Sequence, residues 1–266
     1  MIRIHSIRQI NGLILTALLL ALPVQAQSPE QKGLEIAKER KARDRGWGDS
    51  QAEASMILRT ASGQQIERKM RMLSLEMQDD GDKGLTIFDQ PADVKGTAFL
   101  NYSHAIEPDD QWMYLPALKR VKRISSRNKS GPFMGSEFAF EDLSSFEVEK
   151  YSYKFLRDDK INGLDSFVVE QTPAYEHSGY TKMIVWIDKE HYRAHKIEYY
   201  DRKGSLLKTL TMHDFELYLD KYWRPMKLSM VNNQNRKSTD LITHELKFRT
   251  GLEENDFNQA TLRRAR

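Results

Sequence analysis

Few residues of this chain stand in a pattern that does covalent chemistry. His191 and His195 are four apart, the spacing at which a helix presents two imidazoles to one metal ion. Their flanks argue for strands instead, because Trp186-Ile187-Asp188 ends one apolar alternation and Lys196-Ile197-Glu198-Tyr199 continues another. With one in a turn and the other on a strand, the pair is over ~13 Å apart at ~3.3 Å per residue, too far to share an ion. Both read as turn and surface histidines. His244-Glu245 opens like His-Glu-x-x-His, but the residue four on is Phe248, and neither Gly-x-Ser-x-Gly nor a glycine-rich phosphate loop occurs. The acid pairs Asp79-Asp80, Asp109-Asp110 and Glu253-Glu254 sit in turn-like stretches and read as solvated loops. No nucleophile, base and orienting group come together, so the residues speak for binding without a cofactor or metal; a secreted hydrolase is the enzyme alternative.

Two patterns speak for binding. Lys119, Arg120, Lys122, Arg123, Arg127 and Lys129 crowd six positive charges into eleven residues. They form either a solvated hairpin paired with Glu137, Glu141, Asp142, Glu147 and Glu149, or a rim for anionic lipid headgroups or an acidic partner. The second pattern is methionine and aromatic. Met56, Met70, Met72, Met77, Met113, Met134, Met183, Met212, Met226 and Met230 are ten methionines beyond residue 26, with Trp112, Tyr114, Phe133, Phe138, Phe140, Trp186 and Trp223 nearby in pattern. A methionine-rich strand face is ordinary core, but on a strongly curved sheet it suits a cavity that accepts varied apolar shapes.

The elements that must position these residues are strands. Period-two alternation marks residues 52–58, 65–72, 85–88, 97–102, 111–115, 120–124, 147–156, 166–171, 182–187, 194–200, 207–217, 227–231 and 241–248. These thirteen segments are read as about eleven strands with hairpin-length connections, an antiparallel meander. No helical pattern alternates with them, which argues against a parallel α/β sheet. Ser28-Pro29-Glu30 reads as N-cap, first-turn proline and first-turn acid of a helix running to about Arg45, with apolar content (Leu34, Ile36, Ala37) thin enough for a surface position. Short helical turns fit residues 135–145 and 253–264. One domain, residues 27–266, is expected, for no linker or repeat divides the chain.

Residues 1–26 read as a signal peptide: Arg3 and Arg8 precede the apolar run 13–22, and Val24-Gln25-Ala26 has the form of a cleavage site. Cleavage after Ala26 leaves 39 basic against 38 acidic side chains, so global charge does not point to nucleic acid. Cysteine is absent, which excludes a disulfide framework, thiol catalysis, cysteine zinc sites and a lipid anchor on cysteine.

The run Asp109-Asp110-Gln111-Trp112-Met113-Tyr114-Leu115-Pro116, its basic continuation to Ile124, and the block 126–143 with Lys129-Ser130-Gly131-Pro132-Phe133-Met134-Gly135-Ser136 and Phe140-Glu141-Asp142-Leu143 resemble the outer-membrane lipoprotein-sorting (LolA-like) family. They are most similar to its branch associated with RND-type export permeases, as is Arg45-Gly46-Trp47-Gly48-Asp49. The resemblance implies a mainly β (α+β) fold: a single curved antiparallel sheet forming an unclosed β-barrel, with an N-terminal helix and short covering helices over a hydrophobic cavity. It implies a periplasmic protein whose partners are lipid or lipoprotein acyl chains, an inner-membrane RND-type permease and an outer-membrane acceptor, and not nucleic acid. Met56, Leu58, Met70, Met72, Phe99, Trp112, Tyr114 and Trp186 are the expected cavity residues, Phe133, Met134, Phe138 and Phe140 the expected lid, and the basic run the headgroup or docking site. General lipoprotein carriers have Lys-Arg-Pro on an early strand, with an arginine that handles cargo. Here Arg68-Lys69-Met70-Arg71-Met72 stands in that region without the proline, and no arginine is assigned. The alternatives are a non-shuttling accessory or assembly subunit of an RND-type exporter and a transmembrane barrel; the latter would set Glu53, Arg59 and the charges of 67–71 against lipid or crowd them into the lumen.

Overall fold

The computed structural model describes residues 27–264; the expected signal peptide and its cleavage site lie outside the described residues. Helix α1 (Pro29–Arg43) opens as its sequence predicts. The Ser28 hydroxyl accepts from the Gln31 N–H at 3.1 Å, the Gln31 side chain accepts from the Ser28 N–H at 3.1 Å, and Pro29 sits where no N–H is needed. After the helix, Gly46 and Gly48 take positive φ and direct both amides at the Glu76 carboxylate, at 2.7 and 2.8 Å. This turn buries Trp47 edge-on against Phe248.

Thirteen strands follow: β1 (Asp49–Arg59), β2 (Gln65–Leu75), β3 (Lys83–Gln90), β4 (Ala98–Tyr102), β5 (Asp110–Leu115), β6 (Arg120–Ile124), β7 (Tyr151–Ile161), β8 (Leu164–Pro173), β9 (Tyr180–Asp188), β10 (Ala194–Asp201), β11 (Leu206–Tyr218), β12 (Tyr222–Asn232) and β13 (Ser238–Phe248). The count exceeds the expected eleven because every alternating segment, even five-residue β4 and β6, pairs as a strand of its own. All pairings are antiparallel. β1 pairs with both β2 and β13, so the sheet order is β6-β5-β4-β3-β2-β1-β13-β12-β11-β10-β9-β8-β7.

This topology makes the two sheet edges, β6 and β7, consecutive in sequence. Residues 125–150 therefore travel from one edge to the other as a covalent bridge where no ladder closes the barrel. They contain short 3₁₀ turns at Phe133–Gly135 and Phe140–Leu143; the second lies within residues 135–145, read as helical turns, and the first ends where that stretch begins. Helix α1 packs along β7, where a Cβ on Gly33 would stand 2.8 Å from the Phe155 nitrogen, so only glycine allows this approach. The opposite edge, β6, is guarded by exposed charge at Arg120, Lys122 and Arg123.

The two faces of the sheet differ. One contributes residues from both halves, Met56, Met70, Phe88, Phe99, Met183, Val185, Leu210 and Met230, to one contiguous cluster with Ile36 and Ala37 of α1. Strands so far apart in the sheet order meet on one face only if that face is concave. The outer face carries two separate clusters: Leu85, Ile87, Ala98 and Leu100 beneath α2 (Gln259–Arg264), and Val168, Ile184 and Trp186.

Candidate functional site

Period-two geometry decides which of the expected cavity residues meet. Met56, Leu58, Met70, Met72 and Phe99 lie on the concave face, in register with one another and with Phe88 and Met113. Residues 125–150 lay Phe133, Met134, Phe138 and Phe140 on this face from above. Phe133, only 1% exposed, has ring centroids 5.1 Å from Phe99, 5.5 Å from Phe140 and 5.9 Å from Phe88.

Trp112, Tyr114 and Trp186 do not join them. Met113 pairs with Phe99 on the inner face, so its neighbours Trp112 and Tyr114 must point outward, where they pack with Leu100, Tyr102 and Val121 by α2. Trp186 lies on the outer face of the other half, its indole N–H donating to Asp159 at 3.1 Å and Lys196 standing 3.6 Å above its ring. The methionine alternation was the signal to follow: inward Met113 excludes Trp112 and Tyr114 from the cavity, and inward Met183 and Val185 exclude Trp186.

Polar side chains anchor the crossing segment, which the sequence reading did not foresee. Lys208, on the concave face of β11, donates to the Asp142 carboxylate at 2.6 Å and the Glu137 carbonyl at 2.9 Å, with both charged side chains 4% exposed. Asp142 also accepts from the Tyr180 hydroxyl at 2.8 Å. Burial, and then the Asp142 carboxylate, push the Tyr180 hydroxyl well above its ordinary pKa. Glu141 accepts from the Gly179 amide and the Ser178 and Tyr175 hydroxyls at 2.8, 2.9 and 3.0 Å, yet burial and the adjacent Asp142 charge hold its pKa above the usual range. The Thr239 hydroxyl accepts from the Glu137 amide at 3.0 Å, and Asn232 donates to the Glu137 carboxylate at 2.7 Å. Arg68, inward on β2 opposite Met56, donates to the Met134 carbonyl; its Nε is buried without a partner among the described residues. Arg68 thereby stands out in the stretch where no arginine was assigned. Burial lowers its pKa.

The basic run divides. Lys119, Arg120, Lys122, Arg123 and Arg127 are exposed, with Arg123 paired to Asp110. Lys129 is buried: it donates to the Asp109 carbonyl and stands 4.0 Å from the Asp109 carboxylate, which also receives Lys150 and the Ser144 hydroxyl at 2.6 Å. It is therefore not a docking residue. Asp109 is equally not a solvated loop acid, because strand β5 starts beside the crossing segment and its carboxylate ties the two together. Of the acids proposed to neutralise the basic run, Glu147 is engaged by Lys41 at 2.9 Å, Asp142 by Lys208, Glu141 by the Gly179 amide and Glu137 by Asn232, while Glu149 is exposed. His191 lies in a turn and His195 on β10 as expected, but His195 is buried and pairs with Asp188 at 2.9 Å, so it is no surface residue. Burial opposes the Asp188 charge, but donors from His195, Arg193 and the His191 amide hold its pKa well below the carboxylate range. Among the described residues, no cluster of three or more His, Asp or Glu could hold a metal.

With the crossing segment in place, the concave face is filled by the protein's own aromatics. Open volume remains at both ends of the barrel: about 630 Å³ beside Phe138, Lys208 and Lys237, and about 380 Å³ between the end of α1, Phe146, Met212 and Trp223. A third cleft, about 360 Å³, opens between the sheet edges beside Ile106, Lys150 and Tyr175. No helix among the described residues is long and apolar enough to cross a membrane.

A family model described as an uncharacterized protein matches residues 80–264. No curated protein matches the chain. Among solved structures, an outer membrane lipoprotein-sorting protein domain from Vibrio parahaemolyticus is 66% identical, with a TM-score of 0.87 over 88% of this chain and 99% of that one. A DUF1329 family protein from Desulfovibrio piger is 27% identical, with a TM-score of 0.84 over 88% of this chain and 99% of that one. A LolA superfamily protein from Nitrosomonas europaea, 20% identical, shares the fold at a TM-score of 0.69 over 86% of this chain and 98% of that one.

Proposed function

This chain belongs to the outer membrane lipoprotein-sorting (LolA-like) family, and we propose that it is a periplasmic carrier that shelters the acyl chains of a lipid or lipoprotein on its concave face and passes them from an inner-membrane exporter to the outer membrane. The observation that carries this reading is the lid, residues 125–150. Its aromatics occupy a continuous methionine-rich face that belongs to the sheet, packed there by the kind of apolar contact an acyl chain also makes.

The energetics suit a carrier. Burying a sixteen-carbon acyl chain is worth on the order of 12 kcal/mol at ~0.8 kcal/mol per methylene. Displacing Phe133, Phe138 and Phe140 into water returns about 5–9 kcal/mol at roughly 1.5–3 kcal/mol per buried side chain. The difference is a few kcal/mol, an affinity that permits both loading and release. Arg68 and Lys208 set the closed state by holding the lid backbone at Met134 and Glu137. Met56, Leu58, Met70, Met72 and Phe99 form the floor on which the acyl chain lies, and Met134, Phe138 and Phe140 move with Phe133 as the lid. The exposed cations Lys119, Arg120, Lys122, Arg123 and Arg127, at the sheet edge where the lid begins, meet headgroups or the partner surface. The resemblance of the 112–142 block supports an RND-type permease as donor.

The chain has no cysteine, so a reversible lid lock is simple to introduce. Glu137 and Thr239 touch across the lid and β13, and E137C/T239C oxidised to a disulfide is expected to block uptake of membrane lipid, with uptake restored on reduction. Native mass spectrometry of protein purified without detergent and then incubated with membranes reads the result. Absence of any lipid adduct on the unlocked protein refutes the carrier. A stoichiometric complex with the exporter that never carries lipid is the outcome expected of a non-shuttling subunit.

A further inference from the structure

The 380 Å³ cleft at the end of α1 has a charge pattern that closure of the lid does not explain. Its floor is apolar, with Phe146, Met212 and Leu228 all packed against the concave-face cluster. Its rim carries Arg40, Lys41, Arg43, Arg193, Lys221 and Arg224 against two carboxylates, Asp44 and Asp82. Four of these cations are held by acids: Lys41 by Glu147 at 2.9 Å, Arg43 by Glu39 at 2.7 Å, Arg193 by Asp188 at 2.8 Å and Arg224 by Asp44 at 2.6 Å. Lys221 donates to the Arg45 carbonyl at 2.7 Å. Arg40 differs from all of them. Among the described residues its guanidinium makes no hydrogen bond or ion pair; it lies 4.4 Å from the centre of the Phe146 ring, and Asp44, whose charge reaches it, is already taken by Arg224.

A cation near a helix C-terminus is favourable, but that does not account for enclosing it in an aromatic cleft. Arg40 is half-buried, and withdrawing a guanidinium even partly from water without an anion is unfavourable; this burial draws its pKa below the ordinary value. Its planar fork of donors matches a carboxylate or phosphate. We infer that this cleft seats the head of an anionic amphiphile, a carboxylate or phosphate on Arg40, with the first carbons of its acyl chain over Phe146, Met212 and Leu228. The volume lies near the lower end of the ~300–1,000 Å³ of small-molecule sites, enough for a head and part of a tail. The rest of the chain continues onto the concave face, and in this respect the inference rests on the carrier reading.

The test compares cis-parinaric acid with its methyl ester, two fluorescent probes that share a tail and differ in head charge, on the wild type and on R40M and R40K at pH 8. The acid is expected to bind the wild type about tenfold or more tighter than the ester, the scale of one charge-assisted hydrogen-bonding pair. R40M removes that preference while leaving ester binding unchanged, and R40K retains part of it. Without ligand, R40M is expected to melt no lower than the wild type, because methionine suits an apolar cleft better than an unpaired cation. Equal binding of acid and ester to the wild type overturns the inference and leaves the carrier standing; this arm needs no variant to fold. Failure of both probes to bind overturns both. Displacement of the acid by millimolar inorganic phosphate shows a free-anion site and overturns the amphiphile.

Discussion

Replacing Lys208 with methionine should loosen the lid while leaving the sheet intact. Methionine keeps most of the apolar stem between the Tyr180 and Tyr199 rings but removes the donor to Asp142 and to the Glu137 carbonyl. Asp142 is then left with the Tyr180 hydroxyl at 2.8 Å and the Ala139 amide at 2.7 Å. Removing one partner of a buried ion pair costs about 3–5 kcal/mol, less what Asp142 regains by taking a proton. Only the closed lid contains the pair, so a net ~3 kcal/mol shifts the closed-to-open equilibrium by roughly 100-fold, at about 1.4 kcal/mol per factor of ten. Hydrogen exchange reads this directly. The amides of Phe133, Phe140 and Glu141 bond within the segment, to Phe138, Gly131 and Lys129 carbonyls at 2.7, 3.1 and 2.9 Å, and they should lose about two orders of magnitude of protection. The amides of the β8–β9 ladder should change far less. D142N should recover much of the loss when combined with K208M, since it removes the stranded charge. Equal loss of protection in lid and ladder, or none in the lid, would show that the pair supports the sheet and refute its role in closure.

Three further outcomes follow from particular contacts. Burial lifts the Asp82 carboxyl to about 6 against the pull of Lys41, so its charge opposes folding above pH 6, and this penalty fades as pH falls toward ~4. D82N should therefore stabilise by about 2 kcal/mol at pH 7.5 and by nothing near pH 4; parallel pH profiles of the urea midpoints would contradict it. G33A places a methyl 2.8 Å from the Phe155 nitrogen and should lower stability by about 1–3 kcal/mol as α1 lifts from β7, with an unchanged melting curve as the adverse result. W112A should lower stability by about 2 kcal/mol through the contacts around Tyr102 and α2 yet leave parinarate affinity unaltered, and a weakened affinity would return Trp112 to the cavity.

Sequence periodicity marked a segment in each strand of the sheet although it counted only about eleven strands, and Ser28 and Pro29 located the start of α1, because these signals depend on neighbours one to four residues apart. The same periodicity says that Trp112 and Met113 face opposite ways but not which of them faces inward. Both faces of this sheet carry apolar residues: α2 covers part of the outer one, and Trp186 packs there with Val168 and Ile184. The inward face is chosen by curvature, which depends on β1 pairing with β13 across almost the whole chain.

Partner choice among charges was hidden for a related reason. The basic run and the acids after it are close in sequence, yet Asp142 pairs with Lys208, Arg68 holds Met134 from 66 residues away, and Lys129 and Lys150 converge on Asp109. The sequence by itself determined an antiparallel meander without cysteine, an apolar methionine set and a resemblance to the lipoprotein-sorting family. Only the tertiary structure decided that the whole segment between the two edge strands crosses the concave face and which charges hold it there. Burial in a curved sheet is a property of non-local register, and a buried charge takes whichever partner that register brings within reach.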